Sequence, residues 1–535
     1  MHAPLSAAVP SAPPSAWAPF RSPVFRIVWF AALAANIGTW VRDVGSGWLM
    51  TSLSPSATAV ALVQVATTLP IFLLSLPAGA LADIVNRRRL LIGLNVALCV
   101  VSVAMAGLAQ AGAMTPALLV GSLFAAGICT ALIQPVQQSL TPLTVDKPLL
   151  RPAIALNSMG FNVSRAIGPA LGGVLIGAAG VAAAYWVDAV SYLAVIAALW
   201  WWKGAAAPAA SGTPEQLGSA MRAGVRFALH APALRRILLR AVLFFGFASA
   251  YWALLPVIAR REVGGDALYY GIVLGCIGAG AVLGAVLLPK LRQRVSSETT
   301  LRLGTALTIG CLLALSATRD RTLVAAVLGV AGFAWIAVLT TANVAAQTAL
   351  PNWVRGRGLA IYLTLFYGAM AGGSLLWGFV ADQASVALAL RAAAVFGALG
   401  LALAWWKPVA ESEPDLTPSM HWPEPVAAEG VEEDRGPVMV TIEYRIDPAQ
   451  REAFVAALRA FSGERLRDGA YQWGVYEDAA VPGRFIESFL VASWQEHLRQ
   501  HARVSQADAD LQREVRAFHR GDGPPRVDHW VTPRE

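Results

Sequence analysis

Mostly apolar runs of about 20 residues or more, each long enough for one helix to cross a hydrocarbon core about 30 Å thick, recur as far as Lys407. Twelve can be placed, at residues 25 to 50, 57 to 82, 89 to 111, 115 to 141, 153 to 178, 181 to 202, 236 to 259, 268 to 290, 299 to 317, 322 to 349, 358 to 381 and 384 to 406. Basic clusters separate alternate runs: Arg87, Arg88 and Arg89 after the second, Lys147 and Arg151 after the fourth, Lys203, Arg222, Arg226, Arg235 and Arg236 after the sixth. Lys290, Arg292 and Arg294 follow the eighth, Arg355 and Arg357 the tenth, and Lys407 the last. The other connections hold only Arg260, Arg261, Arg319 and Arg321, with Glu262, Asp266 and Asp320 beside them. Because basic residues stay on the cytoplasmic side, the pattern predicts spans with both chain ends inside.

The runs also repeat. Ser22-Pro-Val-Phe-Arg26 returns 209 positions later as Ala231-Pro-Ala-Leu-Arg235, and Gln134, Gln138 and Pro142 return at the same offset as Asn343, Gln347 and Pro351. Gly168, Gly172 and Gly173 return 200 positions later as Gly368, Gly372 and Gly373. An even number of spans per repeat enters the bilayer in the same sense, which predicts two parallel six-helix bundles, an all-α membrane protein. The bundles are expected at 24–202 and 234–407, joined by a cytoplasmic linker at 203–233 with an amphipathic helix over 215–230, and preceded by a disordered arm at 1–23.

Beyond Lys407 the pattern changes. Residues 408–436 hold many Pro and Glu without an apolar period, which describes an extended linker. In 437–535, strands are expected at 438–446, 471–476, 484–492 and 526–531, and helices at 448–461 and 494–520. The order β-α-β-β-α-β predicts an α+β ferredoxin-like soluble domain. Apolar residues on both alternating sets of its strands predict a second covered face, as in a homodimer paired through the sheet.

Composition agrees: 56% of residues are hydrophobic and 14% charged, against about 25% charged in soluble globular proteins. The 41 basic and 33 acidic residues divide unevenly, 27 and 10 up to Lys407 and 14 and 23 after it. Positive charge in short clusters between apolar runs points to a lipid bilayer and not to nucleic acid. Cys99, Cys129, Cys276 and Cys311 lie inside apolar runs without metal-ligand spacing, so no metal is expected.

Gly79, Asp83, Asn86, Arg87 and Arg88 stand where the second run meets the cytoplasm, and here the chain resembles the major facilitator superfamily, whose signature places Gly where Asn86 stands. Asn tolerates the left-handed turn expected there. The resemblance implies a gating latch, with Asp83 facing the start of the eleventh helix and Arg87 a carboxylate or helix end. An ordinary positive-inside cluster is the plainer reading. Gly160, Gly168, Pro169, Gly172 and Gly173 on the fifth run resemble the antiporter motif of the same superfamily, which implies export against protons, although small residues also serve plain helix packing.

Ionisable groups inside a bilayer are costly, which makes Arg42, Asp43, Arg165 and Asp188 candidates for proton coupling, with structural ion pairs as the alternative. Gln134, Gln138, Asn157, Asn343 and Gln347 are expected to line the same central cavity. In the soluble domain, Trp494, His497 and His501 are similar to a pocket of the antibiotic biosynthesis monooxygenase group; no cofactor motif accompanies them.

Taken with the appended domain, these motifs resemble the transmembrane secretion effector branch of the superfamily. That resemblance implies proton-coupled efflux of a small molecule, such as a siderophore or drug, from a bacterial inner membrane. A membrane-tethered enzyme, or a transporter with a non-catalytic dimerising or sensing domain, are the other readings.

Overall fold

The computed structural model describes residues 15–202, 217–406, 408, 415–417, 419, 422, 432 and 434–533, without the side chains of Leu76, Ala502, residues 79–84 and residues 217–221. Residues 1–14 of the expected arm, 203–216 of the first linker and most of the second linker therefore lie outside the described residues, as do the side chains of Gly79 and Asp83.

Helices dominate as far as Trp406: α1 (Pro23–Leu53), α2 (Ala57–Ile84), α3 (Arg87–Gln110), α4 (Pro116–Thr144), α5 (Leu150–Ala179), α6 (Val181–Trp201) and α7 (Leu217–His230). Then follow α8 (Pro232–Val257), α9 (Ala267–Leu291), α10 (Ser297–Ala317), α11 (Arg321–Thr348), α12 (Arg355–Gln383) and α13 (Val386–Trp406). Eleven of the described helices, all of these except α5 and α7, are long and apolar enough to cross a membrane. Helix α5 has the length, 30 residues, but Asn157, Ser158, Asn162, Ser164 and Arg165 dilute its apolar character.

Caps set the helix starts. The repeated segments open α1 and α8 with Pro23 and Pro232 at the first helical position, where the missing N–H costs nothing. Ser22, Thr115, Asp266, Ser296 and Asp320 each accept a first-turn backbone N–H. Asn86 does the same for α3, accepting from the Arg89 N–H at 3.1 Å with φ −60°. The left-handed turn expected at Asn86 is thus corrected: its side chain is needed as an acceptor for an orphan N–H, which Gly cannot supply.

Within the first half α1 packs on α5 and α6, α3 on α6 and α2 on α4; within the second, α9 packs on α11 and α8 on α12. The halves meet through α2 with α12 and α5 with α9. Small residues permit this closeness: a Cβ on Gly332 would fall within 2.9 Å of the Ile277 Cα, and one on Gly127 within 2.8 Å of the Ala66 carbonyl oxygen.

The C-terminal unit is a four-stranded antiparallel sheet in the order β2-β3-β1-β4, built from β1 (Val438–Arg445), β2 (Tyr471–Glu477), β3 (Arg484–Val491) and β4 (Arg526–Val531). Helices α14 (Arg451–Asp468), α15 (Trp494–Arg503) and α16 (Gln506–Arg516) accompany it. Val438, Val440, Ile442 and Tyr444 of β1 are buried together with Phe454, Leu458, Phe461, Phe485, Phe489 and Val515. The intervening side chains are open, with Met439 and Trp530 exposed, so within one chain only one face of the sheet is covered. The single helix expected over 494–520 is instead two, because Ser505 and Asp508 form a capping box that starts α16 afresh.

This unit rests on the bundle through α7. Arg226 Nη2 lies 3.3 Å from Glu496 Oε1, Phe227 meets Trp353 edge to face at 5.8 Å, and the Arg503 guanidinium stacks 4.3 Å over Trp353. Helix α7 is thereby held between α12 and α14.

Candidate functional site

The first half buries a charged cluster where α1, α3 and α6 meet. Arg42 Nη1 lies 3.3 Å from Asp188 Oδ2 and donates to the Tyr192 hydroxyl at 3.1 Å, while Nη2 lies 3.1 Å from Asp43 Oδ1. Ser102 donates to Asp188 Oδ2 at 2.7 Å, and Thr39 pairs with Tyr192 at 3.1 Å. Arg42 is 3% exposed and Asp188 fully buried, yet Asp188 Oδ1 lacks a hydrogen-bond partner. The Asp43 side chain retains 36% of its exposure. Two carboxylates therefore share one guanidinium, one sealed and one open. An arginine held this way keeps its charge, so a proton arriving on either carboxylate changes the balance of the whole cluster.

Helix α5 provides the seam between the halves. Gly160 faces the Trp29 ring, Gly168 sits on Trp40 Cβ, and Gly172 lies against the Val41 Cα, so α5 lies directly on α1. Gly173 meets Gly271 of α9 backbone to backbone, where an added Cβ would stand 2.7 Å from the Gly271 Cα. Pro169 is buried in the same seam, and its carbonyl oxygen lies 3.0 Å from the position of a Cβ on Gly271.

Arg165, one turn before Gly168, reaches across to the second half: its guanidinium carbon lies 5.8 Å from the Trp252 ring centre, and its Nε lacks a hydrogen-bond partner. Behind Trp252 stands an aromatic wall. Trp335 lies 5.5 Å from Trp252, 5.1 Å from Phe245 and 6.3 Å from Phe366, and Phe366 is 4.7 Å from Tyr367. Tyr367 in turn is within hydrogen-bonding reach of Gln134. Of the polar residues expected in the cavity, Gln134 thus joins this wall, and Gln138 is exposed on the same helix. Asn157 donates to Thr141 at 3.1 Å, and Gln347 hydrogen-bonds Asn343 one turn away.

In the motif between α2 and α3, Arg88 donates to the Leu199 and Trp200 carbonyls at 2.7 and 2.9 Å, placing a cation on the C-terminal end of α6. For Arg87 a carboxylate or a helix end is expected; the end of α6 is met by its neighbour Arg88. At the opposite end of the bundle, sequence reasoning noted Arg260 and Arg261 only as loop charges and passed over Asp382. There Asp382 of α12 accepts from the Thr58 N–H at 2.9 Å and also from Ser56 and Ala57, capping α2 from the other half. Arg260 donates to Thr51 at 2.9 Å and lies 4.8 Å over Trp48, and Arg261 donates to the Ser54 carbonyl at 2.7 Å. The signal was available: a lone acid at the end of one apolar run, and a Ser-rich turn at the start of another.

In the C-terminal unit, His497 lies 4.9 Å from His501, 4.6 Å from His529 and 5.5 Å from Trp494. Burial pushes His497 down to about 3, and the nearby His529 and His501 add to it. His529 is lowered by burial as well. Neutral imidazoles in apolar company can accept or donate a hydrogen bond, and among the described residues no group of three metal-ligating side chains is placed to hold an ion.

A family model described as transmembrane secretion effector matches residues 14–535. The multidrug efflux pump Tap of Mycolicibacterium fortuitum is 27% identical over 385 residues, 68% of this chain and 91% of that protein. The staphyloferrin A transporter of Staphylococcus aureus is 25% identical over 264 residues, 48% of this chain and 65% of that one. Among solved structures, an inward-facing, unoccupied bacterial homologue of the human lysosomal transporter Spinster aligns with TM-score 0.58 at 16% identity, over 73% of this chain and 97% of that one. A POT family transporter aligns with TM-score 0.59 at 12% identity, over 72% and 97%. These two share the fold alone.

Proposed function

The chain belongs to the transmembrane secretion effector family of membrane transporters, and from that premise we propose that it exports a small amphipathic molecule by alternating access, driven by proton entry. In this reading α5 is the twelfth span, its polar residues turned to the cavity, and both chain ends are cytoplasmic. The halves rock about the α5 to α9 and α2 to α12 seams. Asp382, Arg260 and Arg261 form the outer closure, which opens as the cytoplasmic latch around Asp83, Arg87 and Arg88 closes.

The observation that carries the proposal is the cluster of Arg42, Asp43 and Asp188. A sealed carboxylate with one unpartnered oxygen, sharing its arginine with a carboxylate that is partly exposed, offers the two protonation states that a coupled exporter needs. The aromatic wall with Arg165 suits a flat amphipathic substrate. Multidrug and siderophore transport by the relatives supports the same class of cargo.

The C-terminal unit, with its ferredoxin-like order of strands, serves in this reading as a non-catalytic module that grips the bundle through α7 and pairs with a second copy through its open sheet face. The deciding experiment is substrate uptake into everted vesicles, where the cytoplasmic face points outward, with and without a proton uncoupler. Uptake that continues unchanged after collapse of the gradient rejects proton coupling.

A further inference from the structure

Six buried side-chain atoms without an aligned hydrogen-bond partner gather in one part of the C-terminal unit: Arg465 Nη2, both ring nitrogens of His497, both amide atoms of Gln500 and Nε2 of His529, although the Gln500 amide and the His497 ring lie within hydrogen-bonding reach of each other. Arg465, His497 and Gln500 are 3%, 2% and 0% exposed. Each unmade bond costs about 1–3 kcal/mol, and native folds keep only a few per hundred residues, so a concentration of this kind is built for an occupant that brings the partners. The surrounding groups are fully engaged. Arg465 Nε donates to Glu487 Oε1 at 3.2 Å, which also accepts from Trp473 at 3.0 Å, and Tyr444 donates to Glu487 Oε2 at 3.1 Å. The guanidinium is thereby fixed, with Nη2 left over.

What covers it comes from outside the domain. Trp422 belongs to the segment whose composition is that of a linker, yet its indole lies 4.9 Å from the Arg465 guanidinium and 4.9 Å, edge to face, from His501. Its N–H is spent on Gln512 Oε1 at 2.7 Å. The indole thus fills the place of a flat ring while satisfying none of the six atoms.

We propose that this cluster is a binding site for a small planar aromatic acid bearing a hydroxyl beside its carboxylate, and that Trp422 is its internal stopper. The ring takes the place of the indole over Arg465. The carboxylate accepts from Arg465 Nη2 and the Gln500 amide, and the hydroxyl donates to a neutral imidazole nitrogen of His497. Helix α15 also carries Glu496 and Arg503, which hold the unit to Arg226 and Trp353, so the helix that lines the site is the helix that grips the bundle. The site rests on this domain's geometry alone and is independent of the reading of proton-driven export.

The test is equilibrium dialysis of the full chain in lipid nanodiscs against radiolabelled salicylate, with cyclohexanecarboxylate as a competitor that is acidic but not planar. Saturable binding is expected, tightened by about fivefold in Trp422→Ala and weakened by about tenfold in Gln500→Leu, which keeps the side-chain volume and removes two orphan atoms. Melting of Gln500→Leu at or above the wild-type temperature shows that the loss is of binding and not of fold. The proposal is overturned by the absence of saturable binding in both the wild type and Trp422→Ala, by equal binding in Gln500→Leu, or by displacement with cyclohexanecarboxylate as readily as with salicylate.

Discussion

Arg42 and Asp188 form an ion pair of 3.3 Å with the arginine 3% and the acid 0% exposed, and the acid keeps one oxygen without a partner. Removing one member of a buried pair leaves the other uncompensated, at about 3–5 kcal/mol, whereas replacing both with apolar groups is close to neutral. Asp188→Ala should therefore lower the melting temperature and the yield of folded protein, and Arg42→Met with Asp188→Leu should recover part of the loss, since Asp43 then lacks its guanidinium, without restoring transport. Asp188→Asn preserves the shape and the contact with Ser102 while removing the charge. In proteoliposomes with an imposed proton gradient its efflux should fall by about tenfold or more, and a wild-type rate would exclude Asp188 from coupling.

The seam between α5 and α9 yields a steric prediction. A Cβ on Gly173 would stand 2.7 Å from the Gly271 Cα and 3.0 Å from the Ala267 carbonyl oxygen, and backbone cannot step aside as a side chain can. Gly173→Ala should cost about 1–3 kcal/mol by overpacking and slow transport by separating the halves. Gly177, one turn further on the same helix, has nothing within 4 Å of its Cβ position, so Gly177→Ala should melt and transport like the wild type. Equal behaviour of the two variants would mean that the seam does not carry the contact.

What could be read from the sequence was whatever depends on period and repetition. Apolar length located the helices, and the recurrence of Ser22-Pro at Ala231-Pro marked the same kind of helix start in each half. Glycine spacing drew attention to Gly168, Gly172 and Gly173, because small residues at intervals of about a turn lie on one helix face. The partners were not legible. That Arg165 reaches Trp252, or that Asp382 caps α2 of the other half, depends on which helices of the two repeats face each other, and no local pattern encodes that. The break at Ser505 was legible but overlooked, since a Ser followed three residues later by Asp508 is a start signal inside an otherwise continuous helical stripe.

The grip of the C-terminal unit on the bundle depends on Glu496, which lies 3.3 Å from Arg226 on one side and 2.6 Å from Arg503 on the other. Without it, Arg226 and Arg503 face each other beside Trp353 with Asp468 as the remaining counter-charge. Glu496→Ala should weaken docking by about 1–3 kcal/mol, seen as faster amide exchange in α7 with the exchange of β1 and β3 unchanged. Glu496→Gln should show about half the effect, because it keeps a hydrogen bond and loses the charge. Unchanged exchange in α7 for both variants would place the grip elsewhere.

His497 gives the pH dependence. The ring is buried among His501, His529 and Trp494, with the Arg465 cation also close enough to disfavour an imidazolium, and its pKa is pushed down to about 3. In the unfolded chain the same ring takes a proton near its ordinary value of about 6.5. Below that value the unfolded state holds a proton that the folded state refuses, so the stability present above pH 6.5 is lost as the pH falls toward 3, at about 1.4 kcal/mol per unit. His497→Leu removes this titration and leaves every other group to titrate in both proteins. Between pH 7 and pH 5 the wild-type unit should lose about 2 kcal/mol relative to His497→Leu, measured as the difference between their denaturation midpoints, tracked by amide exchange of β1 and β3 in the full chain. Parallel pH profiles for the two proteins would mean that His497 is protonated alike in the folded and unfolded states, which its burial argues against.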